Sequence, residues 1–233
     1  MPSTILITRP EPGASETAQR VTQLGFHPLL APALTVEVLA ARLPPANAVA
    51  AVLVTSGNAL AACLPSFRDC PLFAVGDTTA ARARALGFTR VASASGDAVA
   101  LAALVVRNLH PQVGHLLLVT GQGHGEALAA ALRTSGFRVL RRIAYRTRPA
   151  SALPDPVTVA LRAGQVGAAL FFSAETARAF TRLIERESLR ETVRAVDAFA
   201  IGAAAGVALQ SLPWRRIGVA AKPNQDAMLA LLR

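Results

Sequence analysis

Short apolar runs recur along this chain: TILIT (4–8), AVLVT (51–55), PLFAV (71–75), HLLLVT (115–120), AALFF (168–172), AFAI (198–201) and RIGVA (216–220). A strand with one face in water alternates apolar and polar residues, and these runs barely alternate. They suit strands covered on both faces, as in a parallel sheet between helices. The spacers agree, since ASETAQRVTQLG (14–25), GEALAAALRTSG (125–136) and NQDAMLALLR (224–233) have helical length and apolar period. Several spacers open on Ser, Thr, Asp or Asn and close on Gly, the usual start and stop chemistry of helices. Strand–helix alternation of this kind predicts α/β units with right-handed crossovers.

The pattern is also written twice. ILITRPEPGASETAQRVTQLGF (5–26) resembles LLVTGQGHGEALAAALRTSGF (117–137), AVLVTSGNALAA (51–62) resembles AALFFSAETARAF (168–180), and PLFAVGDTTAARARALGFTRV (71–91) resembles DAFAIGAAAGVALQSLPWRRIGV (197–219). The matched segments run in one order with a period too long for a solenoid, which implies two copies of one α/β domain. Two further segments, HPLLAPALTVEVL (27–39) and FRVLRRIAYRTRPA (137–150), are extended, β-leaning and bounded by prolines. They follow the paired Gly-Phe dipeptides and read as linker strands between the domains.

Composition narrows the function. The chain is 52% hydrophobic and 16% charged, yet no run approaches the roughly 18–20 apolar residues of a membrane span. The start MPSTILITRP lacks a basic lead, a long apolar stretch and a cleavage site, so a cytoplasmic chain with no membrane partner is expected. The net charge of +10 comes almost wholly from arginine, Lys222 being the sole lysine. Such a chain draws anions, whether nucleic acid, phosphates or polycarboxylates. Nucleic acid is disfavoured, because one Trp and one Tyr offer no stacking platform. Arg178, Arg182, Arg186, Arg190 and Arg194 are interleaved with Glu175, Glu185, Glu187 and Glu191, which reads as a solvated helix face. Cys63 and Cys70 make no disulfide framework. His27, His110, His115 and His124 lack metal-ligand spacing, so no metal is expected.

In open parallel sheets, ligands bind beyond the carboxyl ends of the strands. Those turns here are T-R-P (8–10), T-S-G-N (55–58), G-D-T-T (76–79), S-G-D (95–97), T-G-Q-G-H-G (120–125), S-A-E-T (173–176), G-A-A-A (202–205) and K-P-N (222–224). Each presents free backbone N–H groups and can hold a carboxylate or phosphate without many basic side chains. Ser56, Thr79, Ser173 and Asp97 read equally well as helix N-caps. T-G-Q-G-H-G is neither a dinucleotide fingerprint nor a Walker loop. Tyr145, the only tyrosine, lies among arginines in the second linker segment. It reads either as a structural hydrogen-bonding group or as a general acid. The chain offers no nucleophile elbow, Cys/His pair or cluster of carboxylates, so an enzyme built this way would work by holding and shaping its substrate.

Taken in order, ILITRP, VLVTSGNAL, FAVGDTTAARARALGF, ASGDAVALAALV, LLLVTG, AYRT, LFFSAETARAF, FAIG and AAKPNQDAMLALL resemble the uroporphyrinogen-III synthase family over essentially the whole chain. The resemblance implies two flavodoxin-like parallel-sheet α/β domains joined by a two-stranded β-ladder. It assigns 1–30 with 148–233 to one domain, 41–136 to the other, and 31–40 and 137–147 to the linker strands. The implied activity is cyclisation of hydroxymethylbilane, a linear tetrapyrrole, with inversion of the last ring and loss of water, by a monomer using no cofactor. The runner-up reading is a non-catalytic paralogue that binds a tetrapyrrole or another anion. By the same resemblance Tyr145 is the catalytic candidate. Arg9, Thr55, Ser56, Gly76, Thr78, Thr79, Thr120, Gly121, Ser173, Gly202 and Lys222 are the substrate-binding candidates. The chain departs from the family at Ala203-Ala204-Ala205, where a threonine-containing turn is usual.

Overall fold

The computed structural model describes residues 4–233. Along the chain come β1 (Thr4–Ile7), α1 (Gly13–Gln23), β2 (His27–Leu30), β3 (Leu34–Val38), β4 (Val49–Val54), β5 (Leu72–Ala74), α2 (Asp77–Ala85) and β6 (Val91–Ser93). These lead to α3 (Ala98–Asn108), β7 (His115–Gly121), α4 (Glu126–Thr134) and the long β8 (Arg138–Pro149). The remainder is α5 (Asp155–Arg162), β9 (Val166–Phe171), α6 (Ala174–Arg186), β10 (Asp197–Ala200), α7 (Ala203–Leu209), β11 (Arg216–Val219) and α8 (Gln225–Leu229). Contacts divide these elements into two units. One joins the stretch up to Thr35 with Arg148–Arg233, and the other is Val36–Thr147.

The discontinuous unit is built on a five-stranded sheet of order β11-β10-β9-β1-β2, parallel throughout. Renumbered within the unit this is the 2-1-3-4-5 order of flavodoxin-like folds. The apolar runs bury both faces, as their lack of alternation requires. One face packs Leu6, Ala169, Phe171 and Ala198 against α5, α6 and α7, and the other packs Ile5, Ile7, Leu170 and Phe199 against α1 and α8. Trp214 closes the first layer. Its ring stacks on Phe180 and meets Phe171 edge-on, while its indole N–H donates to the Leu209 carbonyl at 3.1 Å, so the polar end is satisfied inside the core.

The continuous unit carries the sheet β3-β8-β7-β4-β5-β6, with parallel pairing from β8 through to β6. Val52, Val54, Leu117 and Val119 face α2 and the 57–63 turn, while Leu53, Leu116 and Leu118 face α3 and α4. The β3–β8 ladder is antiparallel, since its contacts step in opposite directions along the two strands: Leu39 N donates to Ala144 O and Thr35 Oγ1 to Arg148 O.

Each sheet mixes the two sequence repeats. Unit one takes β1–α1–β2 from the first copy and β9, β10 and β11 from the second; unit two takes β7–α4–β8 from the second copy and β4, β5 and β6 from the first. Three local expectations change. The 137–150 segment is more than a linker, because β8 pairs with β7 from Arg138 to Tyr145 and buries Val139, Ala144 and Tyr145. After β4 the chain makes a 3-10 helix, Gly57–Cys63, which Pro65 bars from extending. The strand β6 was not anticipated, three residues being too few to show a pattern. The arginine stripe also divides: Arg178, Arg182 and Arg186 lie on α6, while Arg190 and Arg194 lie on the 3-10 helix Arg190–Ala195 and pair with Glu185 and Glu191.

Candidate functional site

In the continuous unit the polar turns gather at the carboxyl ends of β4 and β7. Thr55 follows β4 and its Oγ1 lies 3.4 Å from Thr120 Oγ1 at the end of β7. Thr120 is wholly enclosed, so its hydroxyl supports Thr55 and is not itself on the surface. The T-G-Q-G-H-G loop owes its glycines to backbone geometry: Gly123 and Gly125 have φ of +77° and +82°, where side chains are strained. His124 N donates back to Gly121 O, and Arg141 holds the turn by donating to His124 O at 3.1 Å while pairing with Glu126 at 2.7 Å.

Tyr145 sits beside this loop. Its ring lies so close to Gly121 that a Cβ there would come within 2.7 Å of Cε2 and Cζ and 3.0 Å of the phenol oxygen. Gly121 is thus a seat for the ring. The Tyr145 carbonyl accepts from Gln122 N at 2.9 Å, which fixes the backbone on that side. The residue is 6% exposed, yet its hydroxyl has no hydrogen-bonding partner among the described residues. The neighbouring arginines are committed elsewhere, Arg146 to a bidentate pair with Glu37 (2.6 and 2.8 Å) and Arg142 to the Arg42 carbonyl. Thr55, Tyr145, His124, Ala98, Gly125, Ala127 and Leu128 line a hollow of about 320 Å³. The sequence reading brought Thr55 and Tyr145 to this place and missed His124, whose only signal was its position inside a glycine loop at a strand end.

The other candidates of this unit stand apart from that hollow. Ser56 caps the 3-10 helix by accepting from Asn58 N, and Asp97 caps α3 by accepting from Val99 N and Ala100 N at 2.9 Å. Gly76 precedes α2, with nothing within 4 Å of where a side chain would begin. Thr78 is exposed and Thr79 half-buried in the first turn of α2. Asp77, just before them, accepts from Ser95 Oγ at 2.7 Å, and its hydrogen bonds from Ser93 and Ser95 hold its carboxyl below the usual range.

In the discontinuous unit, Ser173 caps α6, accepting from Thr176 N at 3.0 Å. Gly202 precedes α7 with open space around it, and Lys222 is exposed. Ala203 and Ala204 are exposed and Ala205 is 2% exposed within the core, so a threonine at 205 would put its hydroxyl into packing. Arg9 has a built seat. Its guanidinium lies 4.4 Å from the Phe172 ring centroid and donates to Gln225 Oε1 at 3.3 Å. Gly13 leaves the room, since a Cβ there would fall 2.3 Å from the guanidinium carbon. Burial pulls the Arg9 pKa down, against the opposing charges of Glu16 and Glu11. A separate hollow of about 270 Å³, bordered by Arg20, Gln23, Asp226 and Arg233, contains none of the candidates.

Two parallel-sheet units with helices on both faces and Gly-, Ser- and Thr-rich turns at their strand ends define a two-unit α/β protein of the doubly wound class. The sequence matches the family model described as uroporphyrinogen-III synthase HemD over residues 15–230. The chain belongs to the uroporphyrinogen-III synthase family, cyclising lyases of tetrapyrrole biosynthesis. Its fold is similar to the crystal structure of uroporphyrinogen-III synthetase from Helicobacter pylori, with TM-score 0.64 and 18% identity over 98% of this chain and 97% of that one. A mutant uroporphyrinogen III synthase from Thermus thermophilus aligns over 98% and 96% at 23% identity with TM-score 0.47. A search of curated proteins returned no match. Among the described residues no helix is long and apolar enough to cross a membrane.

Proposed function

We propose that this chain converts hydroxymethylbilane into uroporphyrinogen III, and that Tyr145 is its proton-delivering group. The single observation behind the residue assignment is the state of that phenol. It is held by Gly121 and by its backbone, borders the hollow, and spends its hydroxyl on no neighbour among the described residues. The hydroxyl is not among the fully enclosed atoms left without a partner, so it is reachable and free to serve a ligand.

The chemistry follows from that position. The substrate's terminal hydroxymethyl carbon must lose its oxygen. The phenol proton passes to that hydroxyl, the C–O bond breaks, and water leaves behind an electrophilic azafulvenium cation, still protonated on the pyrrole nitrogen, and a phenolate. The substituted carbon of the last ring attacks, giving a spiro intermediate that reopens with the ring inverted and then recloses. The ring carbon's proton is released in the final step, so a proton returns to the phenolate and the balance closes. Without guidance the chain would close on the uninverted carbon, so the protein's part is largely orientation. The turns at Ser56, Gly76, Thr78, Thr79, Ser173, Gly202 and Lys222 supply N–H and side-chain donors for the acetate and propionate arms. The +10 charge favours such a polycarboxylate. We further assign it to the cytoplasm as a monomer. The family match does not favour a non-catalytic paralogue.

The test couples porphobilinogen and its deaminase to this protein, oxidises the products and resolves the porphyrin isomers. Isomer III is expected, and isomer I alone would refute the activity.

A further inference from the structure

The proposed reaction needs a proton given at its start and another taken at its end. Tyr145 serves the first need. The second arises at a different atom, the unsubstituted carbon of the inverted ring, after the phenol has already been spent. A side chain suited to it borders the same hollow. His124 lines that space together with Tyr145, and imidazole both takes and gives a proton near neutrality.

The fold pins the backbone of His124 and leaves its ring uncommitted. The residue stands between Gly123 and Gly125, donates from its N–H to Gly121 O at 3.2 Å and accepts at its carbonyl from Arg141 at 3.1 Å. Its side chain is exposed at the rim and makes no hydrogen bond or ion pair among the described residues. The other groups nearby are engaged. Glu126 pairs with Arg141 at 2.7 Å and lies 3.9 Å from Arg133, and the Thr55 hydroxyl is 3.4 Å from that of Thr120. Ala98, Gly125, Ala127 and Leu128 complete the lining without a polar side chain. At about 320 Å³ the hollow is at the small end of ligand pockets. It takes one end of a linear tetrapyrrole and not its length, so a ring reacting there meets the phenol and the imidazole together.

We infer that His124 is the second proton carrier of this hollow: its imidazole takes the proton from the unsubstituted carbon of the inverted ring and hands it to the Tyr145 phenolate. The inference rests on the proposed function, which supplies both the ring and the phenolate. The C–H bond breaks, its electron pair returns to the ring and restores the pyrrole, and the imidazole becomes imidazolium. Transfer of that proton to the phenolate regenerates neutral imidazole and phenol, so one turnover consumes no proton.

The test is His124→Ala in the full chain. In the coupled isomer assay it should lower kcat for isomer III by about 10²-fold with KM little changed. Imidazole added to the buffer should restore part of the lost rate in proportion to its concentration, which it would not do for a residue that only shapes the loop. With substrate deuterated on the unsubstituted carbon of the last ring, the variant should show a larger isotope effect on kcat than the unmodified protein, because breaking that C–H bond has become slow. Unchanged kcat would overturn the assignment. So would a loss that imidazole does not restore and that leaves the isotope effect unaltered. Should His124→Ala fold poorly, His124→Gln keeps a polar side chain at the rim and should show the same fall in kcat and the same enlarged isotope effect; normal values in it would overturn the assignment equally. The two proposals fail in distinguishable ways. Isomer III at full rate from His124→Ala removes the proton carrier and keeps the activity, whereas isomer I alone from the unmodified protein removes both.

Discussion

Gly121→Ala tests whether Tyr145 must stand where the fold holds it. The added methyl would lie 2.7 Å from two ring carbons of Tyr145, whereas carbon atoms rest comfortably at about 3.5–4.0 Å. The ring must therefore retreat by about 1 Å. Gly121 is not in the left-handed region, so alanine brings no backbone strain and the perturbation is confined to the contact. Overpacking of this kind costs about 1–3 kcal/mol of stability. A 1 Å misplacement of a catalytic group costs about 10²-fold in rate. The coupled isomer assay should show kcat lowered by about that factor, with KM little changed and a modestly lower melting temperature. The same substitution in a Tyr145→Phe background should add almost nothing to the kinetic loss, since no phenol remains to be displaced. Full kcat in Gly121→Ala, or independent losses in the double variant, would refute the reasoning.

Other outcomes follow from the same contacts. Tyr145→Phe should lower kcat by about 10²–10⁴-fold and leave the melting temperature nearly unchanged, the hydroxyl having no partner among the described residues. Ala205→Thr should destabilise the protein by about 1–3 kcal/mol in urea titrations, whereas Ala204→Thr, at an exposed position, should be near neutral and is the better probe of the missing threonines. Asp197, 5% exposed, accepts from Arg215 at 2.7 Å and Arg216 at 3.0 Å. The Arg215 hydrogen bond, the largest of several influences, holds its pKa below the usual carboxylate range. The stabilisation from Asp197 is then complete above the unfolded pKa of about 3.9 and is lost as pH falls through the lower folded value. Asp197→Asn should cost about 1–3 kcal/mol at neutral pH. That gap should narrow in chemical melts below about pH 4.

The strands were legible because each apolar run had to be covered on two sides, and seven of them could be located from that alone. Harder to see was which strands pair. The repeats present equivalent faces, so β1 fits beside β9 or beside β4 by pattern, and only the resemblance to a known family pointed to the first. The site was legible in part. Tyr145 was visible as the only phenol, but the reason it is held lies in a glycine 24 residues earlier, across the β7–β8 pair. Arg9 was visible as a basic residue after a strand. Gln225 was invisible, because a glutamine opening a short helix gives no signal until its amide is seen locked by an arginine 216 positions away. Ala203–Ala205 looked like a gap in a binding turn, and the structure separates it into two open positions and one buried in the core.

The exchange of strands between repeats also sets an order on synthesis. β1 pairs with β2 at once, but its other neighbour is β9, and the Thr8 hydroxyl waits for the Leu170 carbonyl 162 residues later. At about 5–20 residues per second, a ribosome needs roughly 8–30 s to deliver it. Throughout that interval the first βαβ segment stands outside the ribosome with one apolar edge uncovered, while the strands of Val36–Thr147 emerge consecutively and can close their sheet. The unit that contains both ends of the described chain is thus the last to assemble, and its opening strand is the one that waits longest for its neighbour.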